Sequence, residues 1–194
     1  MKLLKYSPLV CLAFSLTAYA QGAARSNADV SGQGGGPTVS EDGATVIRSK
    51  NGVSASLSMP VPYPGTYNYP PGNDFQPNVY IGAPEVFTDW IFIFNHPEEC
   101  SGRVCNSDDL GPTPAMGGAY NFGGHAVGGS TLNISGHVSI GDTPFGGVAL
   151  SNPAGAEIHL AIAPHGMLQP EMLPNQINTP IGSPDYWWVA IFRP

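Results

Sequence analysis

The chain has 194 residues, with 7 basic and 14 acidic side chains, so its formal net charge is −7 at pH 7. An acidic balance argues against nucleic acid and against an anionic membrane surface as partners, because both recognise a basic footprint. Glycine and proline are abundant, at 25 and 20 residues, and both interrupt helices. The composition therefore favours short strands joined by turns.

The first twenty residues have the pattern of a secretory signal peptide. Lys2 and Lys5 give a positively charged start, an apolar stretch follows at 9–16, and the AYA at 18–20 is an A-x-A cleavage site. The apolar stretch is shorter than the about 20 residues that a spanning helix needs, which favours cleavage over a retained anchor. Cleavage would leave five basic against 14 acidic residues, a net charge of −9. We expect a secreted or periplasmic protein with no membrane insertion after cleavage.

Residues 21–43 are rich in Gly, Ser, Ala and Asp and contain scarcely an apolar side chain. Such a segment buries too little surface to offset its ordering entropy, which predicts a flexible linker. The remaining residues, 44–194, form one predicted domain of about 150 residues, enough for a single sizeable core.

Period-two alternation of apolar and polar side chains predicts strands throughout this domain. Residues 45–48 lead into Asn51-Gly52, a strong hairpin signal, and the serines of 53–59 occupy one face of the returning strand. Further strands are predicted at 87–94, 131–140, 156–163 and 186–192. Together they predict an all-β fold, a single Greek-key-like β-sandwich with Gly/Pro-rich loops.

Two of the predicted strands are half-buried. In 131–140 the core-facing side chains are Leu132, Ile134, Val138 and Ile140. In 156–163 they are Ile158, Leu160 and Ile162, and the opposite side carries Glu157, His159 and Ala161.

The segment 60–84 does not follow this alternation, because its prolines are interleaved with tyrosine and phenylalanine. It predicts a long irregular loop or a polyproline stretch over the domain. Packing of these rings onto the domain is favoured over the alternative, an exposed aromatic surface that binds carbohydrates or polymers.

Two cysteines remain after signal cleavage, Cys100 and Cys105. In an oxidising compartment, a pair without further soft ligands nearby is expected to form a disulfide. Four acidic residues surround the pair: Glu98, Glu99, Asp108 and Asp109. Carboxylate oxygens are ligands that calcium prefers, but EF-hand spacing is missing, so a solvated acidic loop is favoured over a calcium site.

Three histidines are candidate ligands for zinc or copper: His125 in GGHAVGG, and His159 and His165 in EIHLAIAPHG. Three imidazoles with one open position form a typical site for these metals. On one continuous strand His159 and His165 would lie roughly 20 Å apart, so Pro164 must bend the chain if both bind one ion. The favoured alternative is separate histidines, each with its own hydrogen bond, in the case of His159 to Glu157.

Three motifs in the centre of the domain carry a resemblance to a known family. They are FNHPEEC with a second cysteine soon after, GHAVGGS, and AEIHLAIAPHG. Together they resemble a family of uncharacterised secreted proteins over about residues 85–170, which implies compartment and fold but no activity. The IHL strand is also faintly similar to chordin-type extracellular domains. His96 stands where that family has Asn, which argues against His96 as a shared ligand.

Sequence signals for an enzyme are weak. GxSxG and HExxH motifs are missing, and no spacing singles out a carboxylate pair among the 14 acids. The sequence therefore predicts a non-enzymatic binding or structural module. Its rivals are a zinc or copper protein that uses the three histidines, and a hydrolase with a polar pocket.

Overall fold

The computed structural model describes residues 23–61, 84–179 and 187–194. The predicted signal peptide at 1–20 and most of the predicted aromatic loop at 60–84 lie outside the described residues. The strands of the described part are β1 (Ala24–Gly32), β2 (Thr38–Ser49), β3 (Gly52–Pro60), β4 (Glu85–Phe94), β5 (Gly117–Val127), β6 (Thr131–Ser139), β7 (Gly146–Gly147), β8 (Glu157–Met167) and β9 (Trp188–Phe192).

Helical structure is sparse in these ranges. It consists of two 3-10 turns, at Pro97–Glu99 and Ser107–Asp109, and of the six-residue helix α1 (Leu173–Asn178). No helix in the described residues is both long enough and apolar enough to cross a membrane.

The strands form one antiparallel sheet in the order β6-β3-β2-β1-β9-β8-β4-β5-β7. The sheet curls so that β5, near one end, packs against β6 at the other end. Phe122 on β5 lies so close to Gly136 on β6 that a Cβ added at Gly136 would be 2.9 Å from its ring. The predicted all-β class is confirmed. A sandwich of two separate sheets is not, because β1 and β9 join the two halves into one continuous sheet.

The predicted linker at 21–43 is wrong for the part of it that the structure describes. β1 pairs with β2 from Ala24 to Ser31, and its end also pairs with β9 through Ser31 and Gly32. Val30 is fully buried in the core. The segment looks like a linker because its side chains are mostly small or polar and, apart from Val30, are exposed or half-buried in β1. The place of β1 in the sheet comes instead from backbone hydrogen bonds to its neighbouring strands. The folded domain therefore starts no later than Ala24, and not at residue 44.

The predicted hairpin is confirmed, and its glycine has a second role. Ser49 pairs with Gly52, which leaves Lys50 and Asn51 as a two-residue loop between β2 and β3. A Cβ at Gly52 would collide with the backbone carbonyl oxygen of Val138 on β6. Gly52 therefore allows β6 to approach β3. The serines of β3 alternate with buried Val53, Ala55, Leu57 and Met59, as predicted.

The inward residues predicted for β8 are confirmed, but its other side is covered as well. Ile158, Leu160 and Ile162 are all fully buried, and so is Glu157 on the opposite side. The loop that contains Cys105 lies over this side of β8, and β4 and β9 flank β8 within the sheet. Ile140 differs from its prediction, since it lies past the end of β6 and is exposed.

Arg48 closes one end of the interior of the sheet. Its position on β2 follows the core residues Ala44 and Val46, and it is itself buried. Nη2 donates to the carbonyl oxygens of Ala156 (3.2 Å) and Phe192 (3.3 Å), and Nη1 donates to a Ser26 hydroxyl. The guanidinium therefore ties β2 to the segment before β8 and to the end of β9.

Candidate functional site: a cleft on the outer face of the sheet

The structure places the three candidate histidines in three different surroundings. His125 is exposed on β5, whereas His165 is fully buried and its Nε2 lies 2.8 Å from the hydroxyl of Thr88. Burial lowers the pKa of His165 to about 4, so it is neutral at physiological pH. Nε2 of His159 lies 2.8 Å from a carboxylate oxygen of Glu157, which confirms the predicted hydrogen bond.

These histidines do not form one metal site. β8 runs without a break through Pro164, which pairs with Phe87 on β4, so the chain does not turn back between His159 and His165. Six residues of strand separate them by roughly 20 Å, and β4 lies between β8 and His125. Within the described ranges, the metal-type ligands that cluster are two disulfide cysteines and one aspartate, Cys100, Cys105 and Asp109.

The four acidic residues near the disulfide do not converge on a cation either. Glu98, Glu99 and Asp108 are exposed, whereas Asp109 is buried. The Asp109 carboxylate accepts hydrogen bonds from the amides of Ser101 (2.7 Å) and Asn106 (2.8 Å). The Ser101 amide in particular lowers the pKa of Asp109. Asp109 therefore uses its oxygens to shape the loop.

The predicted disulfide between Cys100 and Cys105 is present, and it closes this loop. Cys105 is buried, and its amide donates a hydrogen bond of 2.8 Å to the Glu157 carboxylate. The loop thus contacts β8 at the residue that holds His159. The disulfide and Asp109 set the shape of the loop, and the hydrogen bond between Cys105 and Glu157 holds it against the outer face of the sheet, the face opposite the core.

A cleft of about 320 Å³ lies between this loop and the outer face, and we call it the outer-face cleft. Its floor is made by three adjacent strands, with Phe92 and Phe94 from β4, His159 and Ala161 from β8, and Val189 from β9. The sides are formed by Asn106, Ser107 and Leu110 of the loop and by Gln33 and Trp187. The volume is at the lower end of the about 300–1,000 Å³ that small-molecule sites occupy.

Glu157 is a fully buried carboxylate beside this cleft, and three donors stabilise it. One oxygen accepts from the Cys105 amide and from His159 Nε2, both at 2.8 Å. The other accepts from Arg193 Nε at 3.2 Å. Burying a carboxylate is costly unless it is paired and hydrogen-bonded, and these contacts offset that cost.

The Glu157 contact decides the protonation of His159. An ionised carboxylate only accepts hydrogen bonds, so Nε2 of His159 must carry the proton. Burial lowers the pKa of His159, opposed by the hydrogen bond and charge of Glu157, so the ring is neutral at pH 7. In this tautomer Nδ1 has a free lone pair, and it has no protein partner in the described part of the chain. His159 therefore presents an oriented hydrogen-bond acceptor.

Sequence reasoning missed most of this cleft. Phe92 and Phe94 belong to a strand predicted to be buried on both faces, and Trp187 and Val189 to a strand predicted without a site. The one signal was the alternation Glu-x-His in β8, which puts a carboxylate and an imidazole on one face.

Asn95 was also missed. It is fully buried and bonds to the backbone of Met116, Ala149 and Ser151.

The disulfide gives a first testable prediction. Changing Cys100 and Cys105 to serine together should lower the free energy of unfolding by about 2 kcal/mol, the loop-entropy value for so short a loop. For a domain of this size that is a fall in Tm of about 4–8 °C. Calorimetry measures it, and thiol reductant should lower the Tm of the wild type but not of the double variant. Equal Tm values for oxidised protein and variant would contradict a stabilising disulfide.

Comparison of the chain with protein-family models, with curated proteins and with solved structures found no match to any of them.

Proposed function

We propose that the chain is an exported, non-enzymatic binding module that holds a small uncharged molecule in the outer-face cleft. The signal-like pattern of 1–20 supports export, as does the disulfide, because such bonds persist in oxidising compartments. The cleft supports binding. It combines aromatic surface with a few polar groups, which is the usual composition of ligand sites.

The observation that carries the proposal about the ligand is the lack of charged side chains among the described residues that line the cleft. Of these residues only His159 is ionisable, and it is neutral at pH 7. The charged groups beside the cleft already have partners: Glu157 lies 3.2 Å from Arg193, and the Asp109 carboxylate accepts hydrogen bonds from the amides of Ser101 and Asn106. A charged ligand would lose its hydration without gaining a partner of opposite charge, so an uncharged ligand fits best.

Thermal-shift measurements on the mature wild-type protein provide the test. The panel should contain neutral, acidic and basic small molecules of sizes that fit about 320 Å³. A ligand that binds only the native state raises Tm, by an amount that grows with ligand concentration. We expect neutral compounds to raise Tm. Changing Trp187 to Ala removes an aromatic side of the cleft, so it should abolish that rise.

Phe145 provides the matched control. It is an aromatic residue at the surface, 63% exposed, which packs edge-on against Trp90 and does not line the cleft. Phe145→Ala should therefore keep the ligand-induced shift. If no compound class stabilises the wild type, or if Trp187→Ala and Phe145→Ala respond alike, the proposal is wrong.

A further inference from the structure

We infer that the ligand is a neutral, hydroxyl-bearing ring, the chemistry of an uncharged sugar, and that His159 Nδ1 accepts a hydrogen bond from one of its hydroxyls. This inference rests on the proposed function, and it adds a ligand class and a specificity-determining residue. The alternative role for His159 is structural support of the fold, and two variants of His159 distinguish the two roles.

The walls of the outer-face cleft match both surfaces of such a ring. A sugar ring has an apolar C–H face and a hydroxylated edge. Phe92 and Trp187, which are half-buried, offer aromatic surface to the former, whereas Phe94 is buried. Ser107 and Gln33 offer a hydroxyl and an amide to the latter, and neither side chain has a hydrogen-bond partner among the residues described.

His159 is better built for recognition than these two residues. Its ring lies 5.2 Å from that of Phe94 and is only 13% exposed, so packing limits its rotation. Glu157 fixes the proton on Nε2, and Glu157 is itself held by Cys105 and Arg193. A carboxylate that accepts a hydrogen bond from one ring nitrogen fixes the tautomer and raises the basicity of the other nitrogen. The acceptor at Nδ1 is therefore preorganised, and a hydroxyl of a bound ring is the matching donor.

The ligand class is tested with matched sugars. Glucose, glucuronate and glucosamine share one ring but are neutral, negative and positive at pH 7, and galactose and its charged analogues form a second set. Titration calorimetry on the mature protein at pH 7 should show binding of at least one neutral sugar. Its charged analogues should bind at least about tenfold more weakly, because the described residues that line the cleft offer no compensating charge.

Two substitutions of His159 distinguish recognition from structural support. His159→Asn places an amide oxygen as many bonds from Cβ as Nδ1, so it keeps an acceptor for the ligand but cannot reach Glu157 as Nε2 does. His159→Gln places an amide nitrogen as many bonds from Cβ as Nε2, so it keeps the contact with Glu157 but offers nothing at Nδ1. Recognition predicts that Gln loses about tenfold in affinity, the effect of one lost hydrogen bond with its donor left unpaired, and that Asn loses less.

The stability of the two variants without ligand should rank the other way. His159→Gln keeps a donor for the buried carboxylate, so its Tm should exceed that of His159→Asn. This crossing of the two rankings supports the inference. If Gln binds the neutral sugar as tightly as wild type does, His159 has only a structural role and the inference is overturned. If sugars fail while another neutral class raises Tm, the sugar assignment is overturned and the proposed function stands. If no compound binds, both fail.

Discussion

Deleting residues 24–32 should abolish cooperative folding of the protein. This segment is β1, which pairs with β2 along most of its length and with β9 at its end. Without it the sheet separates into β6-β3-β2 and β9-β8-β4-β5-β7, and the backbone groups of β2 and β9 lose their partners. Far- and near-UV circular dichroism and a thermal melt measure the result, and a flexible linker would predict a Tm close to that of wild type.

A pair of point variants tests the same claim without shortening the chain. Val30 is fully buried, so Val30→Asp places an unpaired charge in the core and should cost about 4 kcal/mol or more. Arg25 is exposed on the same strand, so Arg25→Ser should change stability by less than about 0.5 kcal/mol. If both variants have the same Tm as the wild type, β1 is not part of the folded core. Equal and large losses would mean that the burial pattern of this strand is wrong.

Asp89 should make the protein less stable as pH rises. It is fully buried on β4, on the same side as the core residues Phe87 and Ile91, and the loss of hydration outweighs the opposing effect of the Ala161 backbone on the pKa of its carboxyl group. Burial raises the pKa of Asp89 well above its ordinary value. The native state therefore keeps the proton at a pH where the unfolded chain has released it. Stability from this group is present below the unfolded pKa and is lost as pH rises toward the native pKa.

The variant Asp89→Asn isolates this effect, because it removes one titrating group and leaves the others common to both proteins. The free energy of unfolding of the variant minus that of wild type should increase by about 1.4 kcal/mol per pH unit, starting near pH 4 and ending at the native pKa. Urea titrations across this range measure it. Asp89→Leu should show the same slope with a different offset. Parallel pH profiles for wild type and Asp89→Asn would show that Asp89 titrates normally.

A buried acid of this kind lowers the free energy of unfolding at neutral pH, and the residues paired with Asp89 do not compensate for it. Its two cross-strand neighbours are Ile162 on β8 and Gly123 on β5, and neither offers a charge of opposite sign. Sequence reasoning had no means to find it. The FTDWIFIF segment correctly predicted a strand buried on both faces, and that prediction leaves the single aspartate inside the strand without an explanation.

Local patterns succeeded where side chains report directly on burial. The serines of β3, the apolar strand β4 and the isoleucine and leucine alternation of β8 all correspond to observed strands, because the alternation of a strand is visible among consecutive residues. The pattern failed for β1, whose small polar side chains lie mostly at the surface. Its place in the sheet comes from backbone hydrogen bonds, which are the same for every residue type and leave little trace in composition.

The amino-acid sequence alone was sufficient for the all-β class, the β2–β3 hairpin, the Cys100–Cys105 pair and the contact between Glu157 and His159. Each of these depends on residues that are close in the chain, so spacing and residue type are enough. The outer-face cleft was decided by the tertiary structure. Its residues come from Gln33, β4, the disulfide loop, β8 and the end of the chain, and only the order of strands in the curled sheet brings such distant segments together. The same strand order separates His125 from His159 and His165, because β4 lies between β5 and β8. His159 and His165 are kept apart by the unbroken strand β8 that carries both.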